Sequence, residues 1–177
     1  MKTILIPTDG SAAADKALDL ALDLAQCKGA KIKLFHVLLR DKEPEELLRL
    51  PGVAADKPVL AELQGLLNEP ATDWSPQQIM DNPDRPLRPS SDALLTAVGN
   101  DILTRANSRA EARGVVVDVL GIADDRTAPA IVKAASDLKA DTIVMGMRGL
   151  GQIEEVTFGS VSHEVCRLAG CTCITVH

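Results

Sequence analysis

The chain of 177 residues predicts a single-domain α/β fold: an open, mostly parallel five-stranded sheet with helices on both faces. Three observations predict it. Strand-like and helix-like segments alternate from one end of the chain to the other, as in repeated strand–helix–strand units. The strand-like runs are short and largely apolar, as expected of parallel strands covered on both sides. Two strand ends, Pro7–Ser11 and Gly146–Gly149, carry turn chemistry unlike the rest, and such sheets bind ligands outside the carboxyl ends of their strands.

The elements follow in order. Thr3–Ile6 is a β-rich run ended by Pro7-Thr8-Asp9-Gly10-Ser11, and Ser11 is a good N-cap for a long helix. Ala14, Leu18, Ala21, Leu22 and Ala25 line one face of that helix, with Asp15, Asp19 and Asp23 opposite and Gly29 as its terminator. Lys31–Leu38 is the second strand. Residues 41–90 differ from everything else, holding Pro44, Pro51, Pro58, Pro70, Pro76, Pro83, Pro86 and Pro89. Prolines at that density forbid a long helix or a central strand. Short amphipathic pieces remain at Glu45–Leu50, Val59–Leu67 and Gln77–Met80. The segment reads as an insertion within one domain spanning 1–177, and its deletion is expected to leave the core intact.

Order returns at Ser91, where Leu94, Leu95, Val98, Ile102, Leu103 and Ala106 mark a helix running to about Arg113 and ended by Gly114. Val115–Leu120 is the third strand. Thr127 caps the next helix, with Pro129 in its permissive first turn and Ile131, Val132, Ala135 and Leu138 inward. Asp141–Met145 is the fourth strand, Ser160 opens a further helix, and Thr172–Val176 is the last strand.

Composition excludes several roles. Hydrophobic residues make up 46% and charged residues 25%, an ordinary globular balance. No apolar run approaches the roughly 20 residues that span a bilayer. The start, MKTILIPTDGS, has one Lys and a short apolar run before Pro7, unlike a signal peptide, so the expected location is the cytoplasm. A net charge of −6 and an aromatic content of Phe35, Phe158 and Trp74 argue against nucleic-acid binding, which needs a basic face and stacking platforms. Cys27, Cys166, Cys171 and Cys173 lack the two-residue spacing of a zinc knuckle or redox pair and read as small buried hydrophobes.

The chemistry concentrates in Thr142–Val165. An apolar strand breaks at Gly146, Gly149 follows, and Gly159-Ser160 opens a helix of apolar period Val161, Val165, Leu168. Glycines let a ligand approach the backbone, and a helix N-terminus presents free N–H groups with a charge of roughly +0.5. Together they make an anion cradle, to which Ser160 and Ser162 add hydroxyls. The loop also carries Glu154-Glu155, which must point outward or be bridged by a divalent cation if a polyphosphate is bound.

This spacing, G-x2-G-x9-G-S with Ser-Val-Ser after the last glycine, resembles the ATP-binding signature of the universal stress protein family. The N-terminal ILIPTDGS and the strand end FHV are similar to that family too, so the resemblance covers the chain apart from 41–90. It implies a Rossmann-like sheet of order 3-2-1-4-5, similar to the adenine nucleotide alpha hydrolases. It implies that Pro7, Thr8, Asp9 and Val37 surround adenine and ribose, Val37 through its backbone. It implies that Met145, Gly146, Arg148 and Gly149 cover the ribose and first phosphate, and that Gly159, Ser160, Val161 and Ser162 hold the phosphates. Arg148 is the loop's basic residue and the candidate for charge neutralisation. The implied ligand is ATP, or AMP or ADP, with magnesium as its companion ion. The implied role is stress-response regulation through homodimerisation by Thr172–Val176 or through a protein partner.

Other classes fit less well. G-x4-G-K-[ST] is absent, which excludes a P-loop motor. Pro7–Ser11 holds one glycine where a dinucleotide-binding oxidoreductase needs three, and Asp9 alone does not make the acidic cluster of a receiver domain. A slow ATP-hydrolysing enzyme of the same fold is the alternative function. No catalytic residue or metal ligand is assigned, since His163 is a single histidine without a carboxylate at a telling spacing.

Overall fold

A computed structural model describes residues 2–81, 86–150 and 160–177. The chain runs β1 (Thr3–Pro7), α1 (Ala12–Lys28), β2 (Lys31–Val37), α2 (Pro44–Leu47), α3 (Lys57–Asn68), α4 (Pro76–Asp81), α5 (Asp92–Ala112), β3 (Val117–Ala123), α6 (Thr127–Asp137), β4 (Thr142–Gly146), α7 (Ser160–Leu168) and β5 (Thr172–Val176). The strands form one parallel sheet in the order β3-β2-β1-β4-β5. Strand order therefore reverses between β1 and β4, which places Pro7–Ser11 beside Gly146–Gly149, as the family resemblance implies.

The helices form where capping and apolar period agree. Ser11 Oγ accepts from the Ala14 N–H at 3.2 Å, α1 buries Ala14, Ala17, Leu18, Ala21, Leu22 and Ala25, and Gly29 closes it in the left-handed region at φ 64°. The acidic face of α1 is not simply solvated. Arg109 of α5 grips Asp19 with Nε–Oδ1 2.8 Å and Nη2–Oδ2 2.5 Å, and Arg113 pairs with Asp23. The guanidinium beside Asp19 holds its carboxyl below the ordinary range. These pairs orient two helices over a core of Ile4, Ile6, Leu18, Leu22, Ile32, Leu34, Leu103 and Val144.

Several expectations need correction. The third strand starts at Val117 and runs to Ala123, later than Val115–Leu120. Its limits are set by pairing with β2, from Ile32↔Val117 to Val37↔Ala123, with one extra residue of β3 accommodated between Val119 and Ile122, opposite Leu34–His36. The N-cap of α6 is Arg126, without a side-chain cap bond, and Thr127 is the first helical residue. The cysteines are free but not buried: Cys27 and Cys166 are exposed, Cys171 and Cys173 half-buried. Partial burial pushes the Cys173 thiol up to about 12, with Cys166 and Cys171 adding to the rise.

The largest revision concerns 41–90. The predicted amphipathic pieces are helices α2, α3 and α4, and Pro58 is tolerated because it lies in the first turn of α3. Leu47, Leu50, Val53, Val59 and Leu63 are buried with Leu94, Leu95, Val98 and Ile102 of α5 in a second core. Removing the segment would uncover one face of α5, so it belongs to the fold it was expected merely to decorate.

Candidate functional site

At the reversal point a cavity of about 380 Å³ opens at the carboxyl edge of the sheet. That volume suits a small organic ligand. Its walls come from β1, β2, the loop after β4, and the first turns of α6 and α7. Pro7, Thr8, Asp9, Val37, Met145, Gly146, Arg148, Gly149, Ser160, Val161 and Ser162 all line it. Every predicted site residue except Gly159 is thus brought to one place. Gly159 and the Glu154-Glu155 pair lie outside the described residues.

Backbone bonds hold the first wall rigid. The Thr8 N–H donates to the Phe35 carbonyl at 2.9 Å, and the Thr8 hydroxyl accepts from the Gly10 N–H at 3.2 Å. Asp9 Oδ1 accepts from the Ser11 N–H at 3.0 Å, an Asx turn that launches α1. Beneath them His36 is 1% exposed, and its Nδ1–H donates to the Thr8 carbonyl at 2.8 Å. A carbonyl can only accept, so the ring is the Nδ1–H tautomer, with Nε2 buried among the described residues without a partner. Burial lowers the His36 pKa from its ordinary value, against the opposing pull of the Thr8 carbonyl and of Asp9.

The glycine loop forms the opposite wall, and two of its glycines answer to the protein's own packing. A Cβ on Gly146 would lie 2.9 Å from the Ala13 carbonyl carbon and 2.9 Å from the Ala14 nitrogen, so β4 ends directly on the first turn of α1. A Cβ on Gly149 would lie 2.7 Å from Asp9 Oδ2, so the loop after β4 touches the carboxylate after β1. Close packing on helix backbone requires glycine at 146, whereas at 149 the neighbour is the movable end of a side chain. Ser162 is buried, and its hydroxyl donates to the Met147 carbonyl at 2.8 Å, making it a strut between α7 and the loop. Ser160 is exposed at the mouth. Arg148 is exposed too, with no ion pair among the described residues.

Sequence reasoning missed Leu39, Asp41, Lys42, Thr127, Ile131 and Met147, which share the lining. Thr127 and Ile131 could have been found, because a helix following a parallel strand starts at the ligand edge, and their i, i+4 spacing puts both on one face. Asp41 and Lys42 follow the second strand end closely, at the start of the proline-rich segment. Lys42 Nζ bonds Asp41 Oδ2 at 2.7 Å. Burial pulls the Lys42 pKa down, yet the carboxylates of Asp41, Glu46 and Asp9 outweigh it and leave the amine raised and charged.

A parallel α/β sheet with a polar-edged crevice at its order reversal, walled by a glycine loop and a helix N-terminus, defines a doubly wound α/β fold whose ligand edge is that crevice. A sequence profile of the universal stress protein family matches residues 1–177, and the chain belongs to that family. A universal stress protein of Thermus aquaticus is 30% identical over 181 residues, covering 99% of this chain and 98% of that protein. The universal stress protein YxiE of Bacillus subtilis is 27% identical over 173 residues, 98% and 97% of the two chains. Among solved structures, the universal stress protein UspA of Lactobacillus plantarum superposes with a TM-score of 0.64 at 20% identity over 99% of this chain and 97% of the other. One universal stress protein of Archaeoglobus fulgidus was solved in complex with dAMP (TM-score 0.59, 16% identity, 100% and 98% coverage). A family protein of Arabidopsis thaliana was solved with AMP bound (TM-score 0.55, 16% identity, 99% and 91% coverage). Among the described residues no helix is long and apolar enough to cross a membrane.

Proposed function

We propose that this universal stress protein binds an adenine nucleotide, ATP or its products ADP and AMP, in the β1/β4 crevice. We further infer that occupancy alters how a cytoplasmic homodimer forms through β5 or engages a protein partner. One observation carries the reading: residues far apart in the chain converge on a single cavity with an apolar floor and a cationic mouth. Pro7, Val37, Ile131 and Met145 offer the apolar surface a purine needs, while Asp9 and Thr8 stand where sugar hydroxyls would be read. Ser160 at the start of α7 and Arg148 at the mouth suit the phosphates. Relatives of the same fold that carry AMP and dAMP support an adenine ligand. Among the described residues no group of three His, Cys, Asp or Glu side chains is placed to hold a metal, so magnesium would arrive on the phosphates.

Bound nucleotide would order the glycine loop against Asp9, and the surface beside the loop would change with it. The test is mass spectrometry of small molecules released from freshly purified protein, followed by calorimetry with ATP, ADP and AMP. An adenine nucleotide should co-purify or bind, and Arg148→Ala should weaken ATP about tenfold, the loss of one charge-assisted contact. Absence of binding by all three nucleotides would refute the reading.

A further inference from the structure

We propose that Lys42 is a second cation for the phosphate chain, lent to the site by the segment 41–90 and held in the cavity wall by Asp41. The inference rests on the nucleotide reading above and names a residue that reading does not use. Among the described lining residues, the crevice without Lys42 would present the carboxylates of Asp9 and Asp41 to an incoming polyanion, with Arg148 alone at the mouth to offset them. Lys42 changes that balance from the opposite wall. Its side chain is 23% exposed, and its ammonium bonds Asp41 Oδ2 at 2.7 Å. An ammonium has three N–H donors, and Asp41 takes one of them.

Lys42 shares the cavity lining with Arg148, Gly149 and Ser160, the residues proposed to meet the phosphates. Asp9, which lines the same cavity, abuts Gly149, where an added Cβ would come within 2.7 Å of Oδ2. The backbone is fixed as well. The Lys42 N–H donates to the Leu39 carbonyl at 3.2 Å, and Leu39, Leu47 and Leu150 are buried in one apolar cluster. Leu150 directly follows Gly149, so one packed core carries both the cation and the loop.

The test is calorimetry with adenosine, AMP and ATP on the wild-type protein and on Lys42→Met, Lys42→Arg and Asp41→Asn. Adenosine has no phosphate, so it reports the cavity alone. Lys42→Met should weaken ATP about tenfold and AMP less, while adenosine changes by less than about twofold. Lys42→Arg should keep most of the ATP affinity, because it keeps the charge. Asp41→Asn should tighten ATP, because it removes a competing carboxylate. The Lys42 assignment alone is overturned if Lys42→Met binds ATP as the wild type does, or loses adenosine and ATP in equal measure. Wild-type protein that binds none of the three overturns the nucleotide reading and this inference with it.

Discussion

His36 shows how one buried side chain can set the shape of the site and the acid limit of the fold. Its folded pKa is lowered, chiefly by burial, relative to an ordinary 6.5. The neutral ring is thus favoured in the folded state, and the unfolded chain binds the extra proton below that value. Stability from His36 is present above about pH 6.5 and is lost as pH falls, by up to about 1.4 kcal/mol per pH unit. Chemical denaturation of wild type and His36→Gln between pH 7 and 5 checks this: the difference between the two curves should shrink toward acid. A constant difference would mean that His36 does not titrate across folding. The two loop glycines separate in the same way. Gly146→Ala pushes a methyl into helix backbone and should cost about 1–3 kcal/mol, a melting-temperature drop of several degrees. Gly149→Ala meets only a carboxylate that can rotate, so it should leave the melting temperature nearly unchanged while displacing Asp9.

At the scale of elements, the packing of α3 on α5 decides whether the segment 41–90 is an attachment or a part of the fold. Leu63 is fully buried in that contact, so Leu63→Ala should destabilise by about 2–5 kcal/mol. Ile79 in α4 is half exposed, and Ile79→Ala should stay within about 0.5 kcal/mol of wild type. Equal effects at both positions in denaturant titrations would contradict the second core. Leu150 belongs to the same cluster, so helix packing and loop position are linked. That linkage was invisible in the sequence. The apolar period of Val59–Leu67 signals a helix, but nothing local says which helix it faces, and eight prolines suggest loops. The third strand was misplaced for a related reason: on a sheet edge, Val116 and Val119 are exposed, and pairing with β2 rather than hydropathy sets its limits.

For the whole molecule, the sheet leaves two edges, β3 and β5, and an edge strand invites pairing with another chain. The dimer proposed through β5 should therefore respond to Thr172→Lys, an exposed position on that strand, by shifting toward monomer in sedimentation velocity. An unchanged dimer would point to another interface. The alternation of strands and helices, the Ser11 cap of α1, and the glycine loop as one half of a site were legible from residue type and spacing, while the strand order followed from the family resemblance. Such features depend on neighbours a few residues away: a serine before an apolar period, a glycine after it, a strand followed by a helix. The tertiary structure alone decided which distant residues meet. It set Asp9 against Gly149, turned the Ser162 hydroxyl into a strut, packed 41–90 onto α5, and brought Lys42 to the cavity wall. Those outcomes depend on packing between segments separated by tens of residues, which local pattern does not encode.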